Sequence, residues 1–378
     1  MIFEEFKRTN IEPYKRTQTA FEFLNESAWN ISEFSRIKLN QIVEYYPIDD
    51  DFIKMFKSKS NKQHYSTVFE LLVYCSLINS KLIVEKHSVT KNGKRPDFKI
   101  ITVENKSIYL ECTLSGNTFE NEDEKNRKDA VEEIIDSIEF FPYWINIEFI
   151  EVSKRSISKR KLIKFVNQIK EICDEYSDND LTKIYFEFSD SDWNINISLF
   201  RKSNPKIKRS LGMISHGAKI IDKTKSITTA LNDKRASKYQ IDDHPYIICL
   251  SNNDFSITHN DISEILFGQH NSEKINISNS KNSFWIANSN PINTGVSAII
   301  FFKNFDLYTL ENCTIEMWHN PFAKYKIEKN IFPFTQYSFD LQKENLYVKK
   351  QIKENDVFTI LDIDELKYKA MNKKKSCR

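Results

Sequence analysis

The feature that most constrains the fold is the stretch of residues 64–113, where one helix pattern is followed by three strand patterns. Residues 65–80, YSTVFELLVYCSLINS, are apolar at nearly every position, which predicts a helix that packs on most of its sides. Glu70 is the only charged residue in this helix. A buried carboxylate is costly unless it is paired or binds a metal ion. Glu70 therefore belongs to an internal ion pair, to a helix edge that reaches water, or to a functional site.

Three short strand patterns follow the helix. Residues 81–87 form the first, and residues 95–103 and 107–114 form a predicted hairpin whose loop is centred near Glu104. Positions equally distant from Glu104 then face each other, which places Asp97 opposite Glu111 on one face of the sheet. Like charges in directly opposed positions are destabilising. A divalent cation between the two carboxylates explains such a pair.

The order of these acidic residues resembles the PD-(D/E)xK superfamily of restriction-endonuclease-like nucleases. That family has an acidic residue on a leading helix, then Pro-Asp on a strand and Glu-x-Lys on the paired strand. Here Glu70, Pro96-Asp97 and Glu111-Cys112 match in order and spacing, over residues 66–114. The resemblance implies an α/β fold, a restriction-endonuclease-like mixed sheet flanked by helices. It also implies a site for Mg²⁺ or Mn²⁺ whose ligands are Asp97, Glu111, the Cys112 carbonyl and Glu70.

One residue departs from the family pattern. Thr113 occupies the place of the family's lysine, and a threonine can hydrogen-bond a water but supplies no positive charge. A basic residue elsewhere then has to supply this charge, or the site is inactive. One candidate is Lys99, which shares a strand face with Asp97; the others are Lys234 and Lys238, on one predicted helix face. The ordinary alternative for each of them is a solvated surface lysine.

Two assignments of the remaining core elements stay open. In the first, the helix pattern of residues 220–240 and the strand pattern of residues 245–250 complete the core, as a helix and a final strand do in the superfamily. Residues 115–220 are then partly an insertion. In the second, a helix at 125–140 and a strand at 143–152 take those places. The sequence alone does not separate the two assignments, because both pairs have the required patterns.

The chain is predicted to have three parts. Residues 1–63 form a leading helical segment, and residues 64–270 form the nuclease-like core with an insertion around 115–220. Residues 271–378 form a β-rich extension that ends in a basic tail. Neither internal repeats nor a low-complexity linker marks the boundaries between these parts.

Composition excludes several functional classes. Lys and Arg outnumber Asp and Glu by only 55 to 53, so a surface for nucleic acid has to come from local clustering of basic residues. The six glycines form neither a P-loop nor a dinucleotide-binding motif, which argues against nucleotide cofactors. The six cysteines lack any C-x-x-C pair, which favours a reducing cytoplasm. The longest apolar run, residues 296–302, is too short to span a membrane.

Two functions are compatible with these residues. The first is a metal-dependent endonuclease that hydrolyses the phosphodiester bonds of nucleic acid, with DNA favoured over RNA. By family analogy it acts in bacterial defence or restriction. Its catalytic residues would be Glu70, Asp97, Glu111, Thr113 and one of the three lysines. The alternative is an inactive nuclease-like module that binds nucleic acid or a partner protein, which the missing lysine favours. A homodimer is compatible with either function.

Overall fold

The computed structural model shows an α/β protein. It describes residues 1–116, 122–138, 143–175, 184–203, 210–212, 223–241, 243–252, 257–269, 273–353 and 356–361. The chain divides into two compact units. The larger unit comprises Met1–Glu12, Ala20–Glu120 and Asp222–Arg378, and the smaller unit comprises Pro13–Thr19 and Asn121–Ile221. The predicted basic tail, 362–378, lies outside the described residues.

Helices and strands alternate irregularly along the chain. In chain order the helices are α1 (Ala20–Glu26), α2 (Asn30–Val43), α3 (Asp50–Phe56), α4 (Asn61–Asn79), α5 (Glu122–Asp136), α6 (Lys159–Glu175), α7 (Lys223–Asp233), α8 (Ala236–Tyr239), α9 (His259–Phe267) and α10 (Val357–Ile360). The strands are β1 (Ile83–Lys86), β2 (Phe98–Ile101), β3 (Ser107–Ser115), β4 (Tyr143–Glu151), β5 (Ile184–Asp190), β6 (Trp193–Arg201), β7 (Tyr246–Asn252), β8 (Lys274–Asn276), β9 (Ile286–Ala287), β10 (Asn290–Pro291), β11 (Ala298–Lys303), β12 (Thr314–His319), β13 (Thr335–Gln342) and β14 (Asn345–Gln351).

The larger unit is built on one mixed sheet. Among the described residues this sheet has nine strands, in the order β1-β2-β3-β7-β11-β12-β13-β14-β8. β7 runs parallel to both of its neighbours, β3 and β11, and β12 runs parallel to β13. The remaining neighbours are antiparallel. The predicted α/β class with a mixed sheet is therefore confirmed.

The predicted hairpin forms with the predicted register. β2 and β3 are antiparallel, and Phe98 pairs with Leu110 as Ile101 pairs with Ser107. The preceding helix, α4, begins earlier than the apolar pattern does, because the Ser60 side chain caps it by accepting a hydrogen bond from the backbone N–H of Gln63. The helix, the hairpin and the hairpin's register could thus be predicted from local patterns alone.

The structure also separates the two assignments of the remaining core. β7 pairs with β3 in parallel, from Tyr109 with Tyr246 to Ser115 with Asn252. The strand pattern at 245–250 therefore completes the core, and α7 precedes it. The competing strand, β4, belongs to a separate three-stranded sheet in the order β4-β6-β5. The second assignment was wrong because β4 pairs with β6 and not with β3, and no local sequence pattern reveals the partner of a strand.

The predicted division into three parts differs from the observed packing. Phe56 of α3 and Phe69 of α4 are buried in one hydrophobic cluster together with Ile100 of β2 and Phe302 of β11. The opposite sheet face packs against α7 and α9, with Ile248 of β7 in the second cluster. The predicted boundaries at residues 63 and 270 therefore fall inside a single packed unit. The predicted insertion, around 115–220, corresponds closely to the smaller unit.

The smaller unit has its own hydrophobic core. Val131 of α5 and Val166 of α6 are buried with Ile195 and Ile197 of β6. The Asp136 carboxylate at the end of α5 accepts hydrogen bonds from two consecutive backbone N–H groups beyond β6.

Across both units, no described helix is both long enough and apolar enough to cross a membrane.

Candidate functional site

The predicted site lies where the pairing of β2 with β3 ends. The last pair is Phe98 with Leu110, but β3 continues beside β7 as far as Ser115. Asp97 is the residue before β2, and beyond the last strand pair its side chain, instead of its main chain, bonds to β3. Its Oδ2 atom accepts a hydrogen bond from the backbone N–H of Cys112 at 2.8 Å. The main chain of β3 therefore fixes the position of this carboxylate.

The Cys112 peptide faces the same edge of β3 as Asp97. The backbone N–H of Tyr109 donates to the Pro245 carbonyl on the β7 side at 3.0 Å. Successive residues of a strand direct their peptide groups to alternate edges, so the Cys112 N–H and C=O point to the edge that β2 leaves open. Burial raises the pKa of the Cys112 thiol well above its usual range, which keeps the side chain neutral. Cys112 can thus offer its carbonyl to a metal ion, but not a thiolate.

Lys234 is the lysine that reaches Glu111. It directly follows α7, and its Nζ atom donates to Glu111 Oε2 at 2.7 Å. Lys99 instead contacts Glu85 at 3.0 Å, and Lys238 contacts Asp233 at 2.9 Å. The prediction that one of the three ammonium groups lies close to the Glu111 carboxylate is therefore confirmed by geometry. Lys99 and Lys238 are not brought to this carboxylate.

A cavity opens beside these groups. Its volume is about 430 Å³. Four parts of the chain line it. They are α4 with Lys62, Ser66 and Glu70, the residue before β2, Asp97, then β3 with Thr113 and Ser115, and α7 with Ser226, Thr229 and the following Lys234. Glu111 is 1% exposed, and Lys234 both contacts it and lines the cavity. A molecule in the cavity therefore lies beside Glu70, Asp97 and Lys234.

Burial and mutual repulsion change the ionisation of the acidic groups. Burial, together with the charges of Asp97 and Glu111, raises the pKa of Glu70 to about 8. Burial and Asp97 raise the pKa of Glu111 to about 7, although Lys234 counteracts the change. Burial by itself lowers the pKa of Lys234, but Glu111 outweighs this and raises it above its ordinary value. Lys234 therefore stays an ammonium group, while near neutral pH Glu70 is mostly protonated and Glu111 is partly protonated.

Replacement of Glu70 by glutamine tests this electrostatic picture. Because the folded-state pKa is raised, the native protein binds more protons than the unfolded chain between the ordinary pKa of glutamate and about 8. The stability of the parent should therefore fall as the pH rises through this window, and level off above it. We expect Glu70→Gln to be more stable than the parent at high pH by on the order of 1–2 kcal/mol, and the difference to shrink toward pH ~5.

The measurement is the free energy of unfolding in urea across this pH range, with a chelator present. Glu104→Gln, in the exposed loop between β2 and β3, is the surface control. Identical pH dependence of Glu70→Gln and the parent would contradict a buried and repelled Glu70 carboxylate.

The donor set fits a divalent cation in type and charge. Within the described residues the Glu70 carboxylate has no hydrogen-bond partner, and neither do Asp97 Oδ1 and Glu111 Oε1. Carboxylate and carbonyl oxygens are the ligands that Mg²⁺ and Mn²⁺ prefer. Three ionised carboxylates against the ammonium groups of Lys62 and Lys234, both in the cavity lining, still leave an excess of one negative charge. No three ligating side chains of the described residues already surround one point at metal-binding distance, so side-chain rotation has to gather these oxygens.

Tyr239 is a site residue that the sequence did not reveal. Its hydroxyl donates to Glu111 Oε2 at 2.9 Å and accepts from Lys234 Nζ at 3.0 Å. The tyrosine ends α8, and Gln240 after it has a φ of 53°. Its place beside Glu111 depends on the turn between α7 and α8 and on the packing of both against β3. The only local signal is a tyrosine shortly after two candidate lysines, which is too common a pattern to single it out.

Comparison of this chain with known protein families, with curated proteins and with solved structures finds no match. The geometry and chemistry of the site are therefore the basis for assigning a function. The site combines the carboxyl groups of Glu70 and Asp97 with the Lys234 amino group at the wall of one cavity, and Lys234 also contacts Glu111.

Proposed function

We propose that this protein is a metal-dependent nuclease that hydrolyses phosphodiester bonds of nucleic acid, with DNA favoured over RNA. The observation that carries the proposal is the Lys234 ammonium group, 2.7 Å from Glu111 Oε2, on a strand that has Thr113 where a lysine is expected. Metal-dependent hydrolysis of a phosphodiester needs ligands for a divalent cation and a positive charge that offsets the charge developing on the phosphate. The carboxylates and Lys234 supply both requirements in one place.

The order of elements around the site supports the same proposal. α4 is followed by the antiparallel strands β1, β2 and β3, then by α7 and by β7, which is parallel to β3. This order resembles the restriction-endonuclease-like core, and the smaller unit is inserted in the chain between β3 and α7. A role in bacterial defence or restriction rests on that analogy alone.

Four groups would hold the metal ion. Asp97, Glu111 and the Cys112 carbonyl would bind it directly, and Glu70 would bind it directly or through a water molecule. A bound Mg²⁺ or Mn²⁺ polarises the phosphodiester and lowers the pKa of a water molecule. Glu70 and Glu111 have to give up their protons for this role. Since the pKa of Glu70 is about 8 and that of Glu111 is about 7, metal binding near neutral pH should release protons.

Lys234 would stabilise the negative charge that develops during hydrolysis. Its pKa is raised by Glu111, so it remains an ammonium group and cannot serve as a general base at neutral pH. Its position at the cavity wall allows the ammonium group to contact a phosphoryl oxygen or to orient the attacking water. Thr113 lines the same cavity and can hydrogen-bond that water, but it contributes no charge.

A cleavage assay tests the proposal. We expect the purified protein to cleave plasmid or single-stranded DNA in Mg²⁺ or Mn²⁺, and to lose this activity when a chelator is added. RNA in parallel reactions decides between the two polymers. Glu111→Gln, purified in the same way, excludes a contaminating nuclease, because it removes the carboxylate but keeps a side chain of the same shape. Absence of cleavage of all three substrates in both metal ions would contradict the proposal.

A second candidate is an inactive module that binds nucleic acid or a partner protein. Thr113 favours it, and so does the absence, among the described side chains, of three ligands already gathered around one point. If this module binds nucleic acid, its DNA binding should be unchanged by chelator and no cleavage should occur. Replacement of Asp97 or Glu111 should then have no effect on DNA affinity, whereas a nuclease should show metal-dependent changes in both variants.

A further inference from the structure

Tyr239 completes a closed set of hydrogen bonds with the two groups at the centre of the site. Its hydroxyl lies 2.9 Å from Glu111 Oε2 and 3.0 Å from Lys234 Nζ, and these two atoms are 2.7 Å apart. We propose that Tyr239 is the positioning residue that holds the Lys234 ammonium group against Glu111 for phosphodiester hydrolysis. This inference rests on the proposed nuclease function for its role in catalysis, although the hydrogen bonds do not depend on it.

Lys234 needs such a partner because of its own flexibility. A lysine side chain has four rotatable bonds, so one ion pair leaves its ammonium group several orientations. Lys234 also lies just after the end of α7, so its side chain extends from the residue that follows the helix. A tyrosine has only two side-chain torsions, and half-burial of Tyr239 restricts them further. The hydroxyl therefore gives the ammonium group a second fixed acceptor.

A second tyrosine fixes the backbone of the same residue. The Tyr246 hydroxyl donates to the Lys234 carbonyl oxygen at 2.7 Å, and Tyr246 on β7 is fully buried. The rings of Tyr239 and Tyr246 pack together with their centroids 6.0 Å apart. Tyr246 thus anchors the main chain of Lys234 to the sheet, while Tyr239 restrains only the side chain. Loss of the Tyr239 hydroxyl should leave the fold unchanged and release the ammonium group.

The arrangement also leaves Glu111 available as a ligand. Lys234 and Tyr239 both contact Oε2, and within the described residues Oε1 has no hydrogen bond. A carboxylate can therefore contact the ammonium group through one oxygen and a metal ion through the other. Removal of the Tyr239 hydroxyl should for this reason affect turnover without weakening metal binding.

The first test measures catalysis in Tyr239→Phe, which retains the ring. We expect kcat to fall about tenfold, while KM and the Mn²⁺ affinity measured by calorimetry stay within about threefold of the parent. In a Lys234→Ala background the same change should cost nothing more, because Tyr239 acts through Lys234. Tyr109→Phe, on the same face of β3, removes a hydroxyl that makes no hydrogen bond to Glu111 and should leave kcat unchanged. An unchanged kcat in Tyr239→Phe, or an equal loss in both backgrounds, would overturn the proposal.

The second test does not depend on activity. Lysine acetylation by acetic anhydride, followed by mass spectrometry, reports how firmly each ammonium group is held. We expect Lys234 to react about three- to tenfold faster in Tyr239→Phe than in the parent, because one of its hydrogen bonds is lost. Lys238, which is paired with Asp233, is the internal control and should react equally fast in both proteins. Equal labelling of Lys234 in both proteins would overturn the positioning role.

The two tests separate the two proposals. A parent protein that cleaves no substrate removes the nuclease function, and the labelling rates still decide whether Tyr239 holds Lys234. A parent that cleaves DNA, combined with an unaffected Tyr239→Phe, keeps the nuclease function and removes the role of Tyr239.

Discussion

Replacement of Lys234 by alanine is expected to lower the rate of metal-dependent cleavage by about 10²–10³-fold, the effect of removing one preorganised group that stabilises transition-state charge. The ammonium group lies 2.7 Å from Glu111 and lines the cavity, so its loss removes the positive charge that contacts this carboxylate. The measurement is single-turnover cleavage in Mg²⁺, which reports the chemical step rather than product release.

Two matched variants control for the general loss of a lysine. Lys238→Ala removes an ammonium group close in sequence that contacts Asp233, and Lys99→Ala removes one from β2 that contacts Glu85. Exposed ion pairs contribute little, so both variants should cleave at nearly the parent rate. A large loss of rate in either control, with a small loss in Lys234→Ala, would show that Lys234 does not supply the positive charge.

A lysine returned to the strand should partly replace the missing group. Thr113 lines the same cavity as Lys234, at the position where the resembled family has its lysine. The double variant Lys234→Ala/Thr113→Lys should therefore cleave at least about tenfold faster than Lys234→Ala, since catalysis needs the charge and not its point of attachment. If the double variant is no faster than Lys234→Ala, then Lys234 has a role that a charge at position 113 cannot fill.

Replacement of Asp97 by asparagine is expected to abolish metal-dependent stabilisation while leaving the fold intact. The asparagine side-chain oxygen can still accept the hydrogen bond from the Cys112 N–H that Asp97 accepts at 2.8 Å. The change removes a negative charge that raises the pKa of both Glu70 and Glu111. Without metal, the variant should therefore be as stable as the parent, or more stable by up to about 1 kcal/mol.

Metal titrations followed by thermal unfolding measure this prediction. A ligand at 100 times its dissociation constant adds about 2.7 kcal/mol to the stability of the parent, and Asp97→Asn should lose this gain together with its cleavage activity. Asp97→Ala is the informative contrast, because it leaves the Cys112 N–H without its partner and should cost about 1–3 kcal/mol even without metal. An Asp97→Asn protein that melts far below the parent would identify Asp97 as a structural residue.

Much of the core could be predicted from local patterns. The continuous apolar run of α4 required a helix buried on most sides, and the spacing around Glu104 set the register that pairs Phe98 with Leu110. The helix and the hairpin register both depend on residues that are close in sequence, because side-chain periodicity sets the helix and the length of the turn sets the register. The partner of β3 could not be predicted in this way. β4 and β7 both read as strands, and only the parallel pairing of β3 with β7 showed which one completes the sheet.

The same distinction holds for the site. The sequence by itself determined that Glu70, Asp97 and Glu111 belong together, because one helix and one hairpin carry all three and a buried carboxylate requires an explanation. It also showed that Thr113 leaves the strand without a positive charge. Only the tertiary structure decided that the Lys234 ammonium group lies against Glu111 and that the Tyr239 hydroxyl contacts both groups. The physical reason is that Lys234 and Tyr239 each contact Glu111 from more than a hundred positions away, and the packing of α7 and α8 on the sheet sets this approach.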